Sequence, residues 1–167
     1  RARPSGDNAA SGPLNSALAV MSISILYEIV GTGWSRCTVE AEGVKVELSA
    51  SYLSDALGNL VLSAIAAISG FHSCSFGFDE EPGEYRWVIQ AIDVNTVKVE
   101  VLEFPELWSQ KANVEGKVLF TFICAPLIFA KAVHAAALAV LNEHGISGYS
   151  EKWVEYPFPE RQLAILG

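Results

Sequence analysis

The chain has 167 residues, of which 51% are hydrophobic and 18% are charged. This composition supplies enough apolar material for one domain with one continuous core, and it excludes an intrinsically disordered protein. The 11 basic and 19 acidic residues give a net charge of −8. Because such a surface repels phosphate backbones, we expect no nucleic acid as a direct partner.

The cysteines and the hydropathy pattern indicate a protein outside the membrane. Cys37, Cys74 and Cys124 are too few for a disulfide scaffold and form no CxxC pair. Reduced thiols in the core and a cytoplasmic location are the simplest interpretation. The most apolar stretches, 14–30 and 118–141, are interrupted by polar residues or proline. Neither predicts a membrane-spanning helix, so no membrane partner is expected.

The first residues lack any periodic pattern. Residues 1–16 are polar and rich in Gly, Pro, Asn and Ser, which is typical of a disordered tail. The only methionine, Met21, stands where an ordered pattern begins. We therefore expect residues 1–20 to be a disordered tail or an extension added for expression, and residues 21–167 to form a single α+β domain.

From Met21 onwards, apolar and polar residues alternate with the period of a half-exposed β-strand. The alternation resumes from Trp34 to Ala41 and from Val44 to Ser49, after turns at 31–33 and 42–43. These three segments predict three antiparallel strands in a meander.

The segment Ser51–Ser69 has a helical period instead. Its apolar residues recur at i, i+3, i+4 and i+7, which predicts an apolar stripe along a helix. Ser51 or Ser54 can cap the first turn, and Asp55 suits the positive end of the helix dipole. Gly70 provides a C-terminal stop.

Strands are predicted again in the second half, in four segments: His72 to Phe78, Tyr85 to Ala91, Val97 to Val101 and Val118 to Cys124. An acidic turn at 79–83, a tight turn at 93–95 and a longer loop at 105–113 connect them. Pro126 opens an alanine-rich second helix over 127–143, which Gly145 ends. The tail from Ser150 is expected to pack as an arm with a short final helix from Pro159 to Leu166.

The element order βββ-α-ββββ-α predicts an α+β fold. Short turns between consecutive strands favour a single antiparallel sheet of about six or seven strands, with two helices on one face. A split into two smaller sheets is the main alternative.

No known catalytic motif is present in the sequence: we find no GxSxG, GxxxxGK[ST], HExxH or GxGxxG. His72 and Cys74 share a strand face, but a structural zinc site needs a second close ligand pair. Neither a metal nor a cofactor is therefore predicted. A Cys–His nucleophilic pair remains an alternative, since its members need to meet only in space.

Acidic and aromatic residues are the strongest candidates for a binding surface. The carboxylates around the 79–83 turn lie on turns and exposed strand faces, where ordinary ionisation is expected; they form either a solvated patch or a surface for a basic partner. Trp34 and Trp108 are either interface anchors or covers for an open sheet end, whereas Trp87 alternates inward. The predicted partner-binding residues are Trp34, Asp79, Glu80, Glu81, Glu84, Glu106 and Trp108.

A resemblance to known proteins rests on three segments: Gly33-Trp34, Ser51-Tyr52-Leu53-Ser54-Asp55-Ala56-Leu57 and Glu81-Pro82-Gly83-Glu84-Tyr85-Arg86-Trp87. They resemble an uncharacterised bacterial family that is similar in element order to WapI-type immunity proteins. The resemblance covers about Met21 to Ile92. It implies a cytoplasmic, non-catalytic protein that neutralises a secreted toxin, and it identifies no functional residue.

Two functions fit these observations. The first is a non-catalytic, acidic protein-binding domain of an immunity or accessory type, whose partner is a basic protein. The second is a small-molecule-binding or small catalytic domain with an apolar pocket between the sheet and the alanine-rich helix, to which His72, Arg86 and His134 contribute. A homodimer formed through an uncovered sheet face is compatible with either function.

Overall fold

A computed structural model describes residues 22–167, so the predictions for residues 1–20 lie outside the described residues. Within this range seven strands form two antiparallel sheets. The first has the order β1-β2-β3, and its strands are β1 (Ile23–Ile29), β2 (Trp34–Ala41) and β3 (Val44–Ser51). The second has the order β4-β5-β6-β7, and its strands are β4 (Ser73–Asp79), β5 (Glu84–Asp93), β6 (Thr96–Phe104) and β7 (Lys117–Cys124).

The described residues contain three α-helices: α1 (Ala56–Ile68), α2 (Pro126–Trp153) and α3 (Glu160–Leu166). A short 3₁₀ turn, Asn113–Glu115, precedes β7. Pro126 stands in the first turn of α2, as predicted, where its missing N–H costs no hydrogen bond. The α3 helix confirms the short final helix expected from the sequence.

The prediction of a single sheet with two helices on one face is wrong, and the alternative of two smaller sheets is correct. Among the described strands no backbone ladder joins β3 to β4, which α1 separates in the sequence. The α1 helix packs against β4 and β5, whereas α2 packs against β1. Alternating side chains determine which face of a strand is buried. They do not determine which strands pair across a helical connection, because no turn sets that register.

The α1 helix begins later than predicted, because Ser51 is the last residue of β3. Its N-cap is Asp55, whose carboxylate accepts a hydrogen bond from the Gly58 amide at 3.1 Å. Ser54 does not cap the helix; its hydroxyl accepts a hydrogen bond from the Asp79 amide at 3.0 Å. Most of the predicted apolar stripe is buried: Leu57, Leu60, Val61 and Ala64 are inaccessible to solvent, whereas Ile68 at its end is 42% exposed.

The partly buried carboxyl of Asp55 makes stability depend on pH. Burial raises the pKa of Asp55, and the bond from the Gly58 amide only partly opposes this. The folded state therefore holds the Asp55 proton more tightly than the unfolded chain does. The stability that this proton contributes is present below the ordinary carboxyl pKa of about 3.9 and is lost as the pH rises through the folded pKa.

We expect Asp55→Asn, which keeps the cap, to remove this dependence. Relative to the wild type, the variant gains stability between acidic and neutral pH, as urea unfolding at several pH values would measure. If the free energy of unfolding of the wild type instead rises relative to that of the variant as the pH increases, the raised pKa of Asp55 is contradicted.

Gly145 ends the first part of α2, as predicted, because the backbone leaves helical geometry there with φ of 65°. A second helical segment, which the sequence did not predict, then runs to Trp153. Tyr149 and Trp153 on this segment are fully buried and stack with ring centroids 6.3 Å apart. Phe158 meets Tyr149 edge-on at 5.4 Å, so the predicted arm is part of the core.

By length and composition α2 is apolar enough to cross a membrane. In this fold it packs against α1 and β1 and buries Phe129, Val133 and Val140. These are the contacts of a core helix.

Buried residues of both sheets and all three helices form one hydrophobic cluster. Trp87 is fully buried in it and stacks on Phe76 at 5.9 Å, which confirms its predicted inward orientation. Because consecutive antiparallel strands reverse direction, the β4–β5 turn and the β6–β7 loop lie at one end of their sheet. The β5–β6 turn lies at the other end.

Candidate functional site

The predicted acidic turn closes the β4–β5 hairpin. Asp79 and Glu84 are the last paired residues, and the Glu80 amide donates a hydrogen bond to the Gly83 carbonyl at 2.8 Å. A Cβ on Gly83 would lie 2.6 Å from the carbonyl oxygen of Phe104. Only glycine therefore lets the turn approach the end of β6 this closely.

The β6–β7 loop lies against this turn and holds Trp108. The Leu107 amide donates to the Pro82 carbonyl at 2.8 Å, and the Trp108 Nε1 donates to Asp79 Oδ2 at 3.2 Å. Trp108 nevertheless remains 69% exposed. Its φ of 51° lies in the left-handed region, which is uncommon for a bulky residue. The loop thus holds a large aromatic side chain towards solvent in one orientation.

Arg86 on β5 connects the hairpin to the same loop. Its Nε and Nη2 donate to the two carboxylate oxygens of Glu84 at 2.9 and 3.2 Å. Its Nη1 donates to the Lys111 carbonyl at 2.7 Å and to Asn113 Oδ1 at 3.0 Å. The guanidinium also lies 4.1 Å from the centre of the Phe104 ring, within cation–π range. The two bonds from Nη1 hold the loop against β5.

The carboxylates of the turn differ in environment, contrary to the expectation of ordinary ionisation for all of them. Burial raises the pKa of Asp79, although the bond from Trp108 opposes the shift and nearby Glu84 reinforces it. The Glu84 side chain is only 12% exposed and is neutralised by Arg86. Glu80 accepts a hydrogen bond from the Ser49 hydroxyl of β3.

Most of the negative charge at this end of the molecule has no counter-ion. Among residues 22–167, the ion pairs include Glu84 but none of the other predicted carboxylates. We call the surface formed by Asp79, Glu80, Glu81, Glu106 and Trp108 the acidic end. It presents four carboxylates beside one exposed indole.

Trp34 lies at the start of β2, opposite Ser51 in the ladder, and is 36% exposed. Tyr52, 37% exposed, follows Ser51, and its amide donates to the Gly33 carbonyl at 2.9 Å. The structure thus places Trp34 in the first sheet, whereas Trp108 lies in the β6–β7 loop of the second. Trp34 is near the β3–α1 connection, where Ser54 accepts the hydrogen bond from the Asp79 amide.

The three residues of the alternative pocket are not brought together. His72 precedes β4, at the end of the hairpin away from Asp79, and borders a cavity of about 370 Å³. His134 lies on α2, and its ring packs close to the last residue of the chain: a Cβ added to Gly167 would lie 3.0 Å from the His134 Nε2. Arg86 is occupied by its contacts with Glu84 and with Lys111 and Asn113 of the β6–β7 loop.

The cysteines and the grouping of possible metal ligands bear on the alternative of a nucleophilic or metal site. Burial raises the pKa of the Cys37 and Cys74 thiols, and it raises that of Cys124 to about 11. A thiolate is the reactive form, and burial disfavours it. Within residues 22–167, no three His, Cys, Asp or Glu side chains are grouped so that they could hold a metal ion.

Sequence reasoning missed the residues that support the acidic end: Ser49, Ser54, Phe104, Lys111 and Asn113. One signal was available, because Glu84 and Arg86 are two residues apart on a strand and therefore share a face. Glu84 is a predicted partner-binding residue, whereas Arg86 is a predicted residue of the alternative pocket. The remaining contacts depend on how the β6–β7 loop folds back, which no local pattern reveals.

Comparison with known proteins adds one structural likeness. No family model and no curated protein matches the sequence. The chain is similar to a chain in the CdiA-CT/CdiI toxin and immunity complex from Enterobacter cloacae, with a TM-score of 0.44 and 13% sequence identity. The match covers 70% of this chain and 97% of that chain. At this level the likeness carries no weight for function.

Proposed function

We propose that this domain is a non-catalytic protein-binding module whose acidic end docks a basic segment of a partner protein. The observation that carries the proposal is Trp108, which is 69% exposed yet held by Asp79 and by a loop bonded to Arg86. An exposed aromatic side chain held in one orientation loses little conformational freedom when a partner covers it.

The chemistry of the acidic end favours Lys and Arg in that partner. A cation above the Trp108 ring is attracted by the face of the indole, and the surrounding carboxylates can pair with further cations. Tryptophan is among the residues that most often dominate binding energy at protein interfaces. The unpaired negative charge would also accelerate association with a basic surface.

The resemblance to WapI-type immunity proteins makes a toxin the first kind of partner to test. An immunity role and a cytoplasmic location both remain predictions. A gene next to the one for this protein is the natural source of a candidate, since toxin and neutraliser must be made together.

We expect Trp108→Ala to weaken binding of the partner by about 30-fold or more, the effect of losing a hot-spot residue worth at least about 2 kcal/mol. Partners captured at low salt on the immobilised full chain would be identified by mass spectrometry, and the purified partner would be titrated against both proteins. Affinity should also fall as salt rises, because the steering charges are exposed.

A matched control removes charge elsewhere on the surface. The double variant Asp79→Asn, Glu81→Gln is expected to slow association, whereas Glu40→Gln, Glu42→Gln at the β2–β3 end of the first sheet is not. Salt-insensitive binding, or equal affinity of Trp108→Ala and the wild type, would refute the proposal.

A further inference from the structure

A groove of about 930 Å³ opens between the two sheets, away from the acidic end. Its walls are the start of β1, the β2–β3 turn, the β5–β6 turn and the junction of β7 with α2. Small-molecule sites typically have volumes of roughly 300–1,000 Å³ and mostly apolar linings. The groove therefore has the size of a ligand site, and none of His72, Arg86 and His134 borders it.

The inner surface of this groove is apolar. Ala41 and Cys124 are buried there, and Ile23, Ile123 and Ile128 complete the apolar lining. Burial keeps the Cys124 thiol neutral, since it raises its pKa to about 11. The interior thus offers contact to a hydrocarbon chain and no charge.

The outer part of the groove is negative. Glu40 and Glu42 are exposed lining residues, and no Lys, Arg or His is among the described residues that border the groove. Neither carboxylate belongs to an ion pair within residues 22–167. Lys45 faces Glu40 across the β2–β3 ladder without forming an ion pair with it.

The second nearby cation, Lys98, is paired outside the groove. Lys98 faces Ile123 across the β6–β7 ladder, but its Nζ lies 2.9 Å from Glu100. The groove therefore combines an apolar interior with two carboxylates at its mouth that form no ion pair within residues 22–167.

We propose that this groove binds an apolar amine, with the hydrocarbon chain against Ala41, Cys124 and Ile128 and the ammonium group near Glu40 and Glu42. An uncharged apolar ligand would leave the two carboxylates without a counter-ion, and an anionic one would be repelled by them. This site is separate from the acidic end and does not depend on the proposed protein partner.

Three probes with one tail and different head groups test the proposal: decylammonium, decanol and decanoate. Calorimetric titration of the full chain, below the concentrations at which these molecules aggregate, is expected to rank decylammonium first and decanoate last. Each methylene removed from the amine should weaken binding about fourfold. The double variant Glu40→Gln, Glu42→Gln should reduce the preference for decylammonium over decanol by about threefold to tenfold.

A matched pair of substitutions locates the site. Ile123, 46% exposed, lies in the groove, whereas Ile165, 68% exposed, lies on α3 outside it. Ile123→Arg should abolish binding of decylammonium, and Ile165→Arg should leave it unchanged.

Equal binding of decylammonium and decanoate, or equal effects of the two arginine variants, would overturn the proposal. Ser22 borders the groove, so a chain that begins at Ser22 provides a further comparison. If that chain binds decylammonium and the full chain does not, the occupant is the preceding segment of the protein and not a small molecule.

Discussion

Arg86→Ala is expected to lower the free energy of unfolding by about 3–5 kcal/mol, because it leaves the Glu84 carboxylate buried without its partner. The two side chains are only 15% and 12% exposed, and the bidentate geometry gives the pair its specificity. The change also removes the bond to the Lys111 carbonyl. Denaturant unfolding measures the first effect, and faster hydrogen exchange at the Leu107 amide would report the loosened β6–β7 loop.

Arg36→Ala is the matched control. Arg36 pairs with Glu28 at 3.1 Å, but the two side chains are 44% and 36% exposed, so solvent screens the interaction. We expect little change in stability for this variant. If Arg86→Ala costs less than about 1 kcal/mol, the pair with Glu84 is solvated and the buried arrangement is contradicted.

Trp153→Ala is expected to cost about 3–5 kcal/mol, the usual range for removing a fully buried aromatic side chain. Trp153 is fully buried, its Nε1 donates to the Ser54 carbonyl at 3.2 Å, and its ring stacks on Tyr149. It thereby joins the end of α2 to the start of α1. Thermal unfolding should shift downwards by about 6–20 °C.

Trp108→Ala makes the same change at an exposed position and should leave the unfolding temperature close to that of the wild type. It thus serves as the control for Trp153→Ala. Equal melting temperatures for the Trp153→Ala variant and the wild type would show that the segment after Gly145 is not part of the core.

Much of the fold follows from local patterns. The alternation of apolar residues located all seven strands, and the helical stripe located α1, because burial of one face imposes these periods on the sequence. The start of α1 was misplaced, since Ser51 and Ser54 are as suitable for capping as Asp55. The choice among them depends on where β3 ends and on the hydrogen bond that the Asp79 amide donates to the Ser54 hydroxyl.

The candidate site was predictable only in outline. Its acidic turn and the exposed Trp108 could be read from composition and from their positions between strands. The raised pKa of Asp79 and the pairing of Glu84 with Arg86 could not, because desolvation depends on what covers a carboxylate. Here the covering group is the β6–β7 loop, more than twenty residues away in the chain.

Apart from the start of α1 and the helical segment after Gly145, the amino-acid sequence alone determined which segments are strands and helices, which face of each is buried, and where charge is concentrated. These are local properties, set by side-chain chemistry at a fixed spacing. Only the tertiary structure decided that the strands form two sheets, that the helical segment after Gly145 enters the core, and that a groove opens between the sheets. Each of these outcomes depends on contacts between distant segments, whose free energy is shared among many residues and leaves no pattern in any one of them.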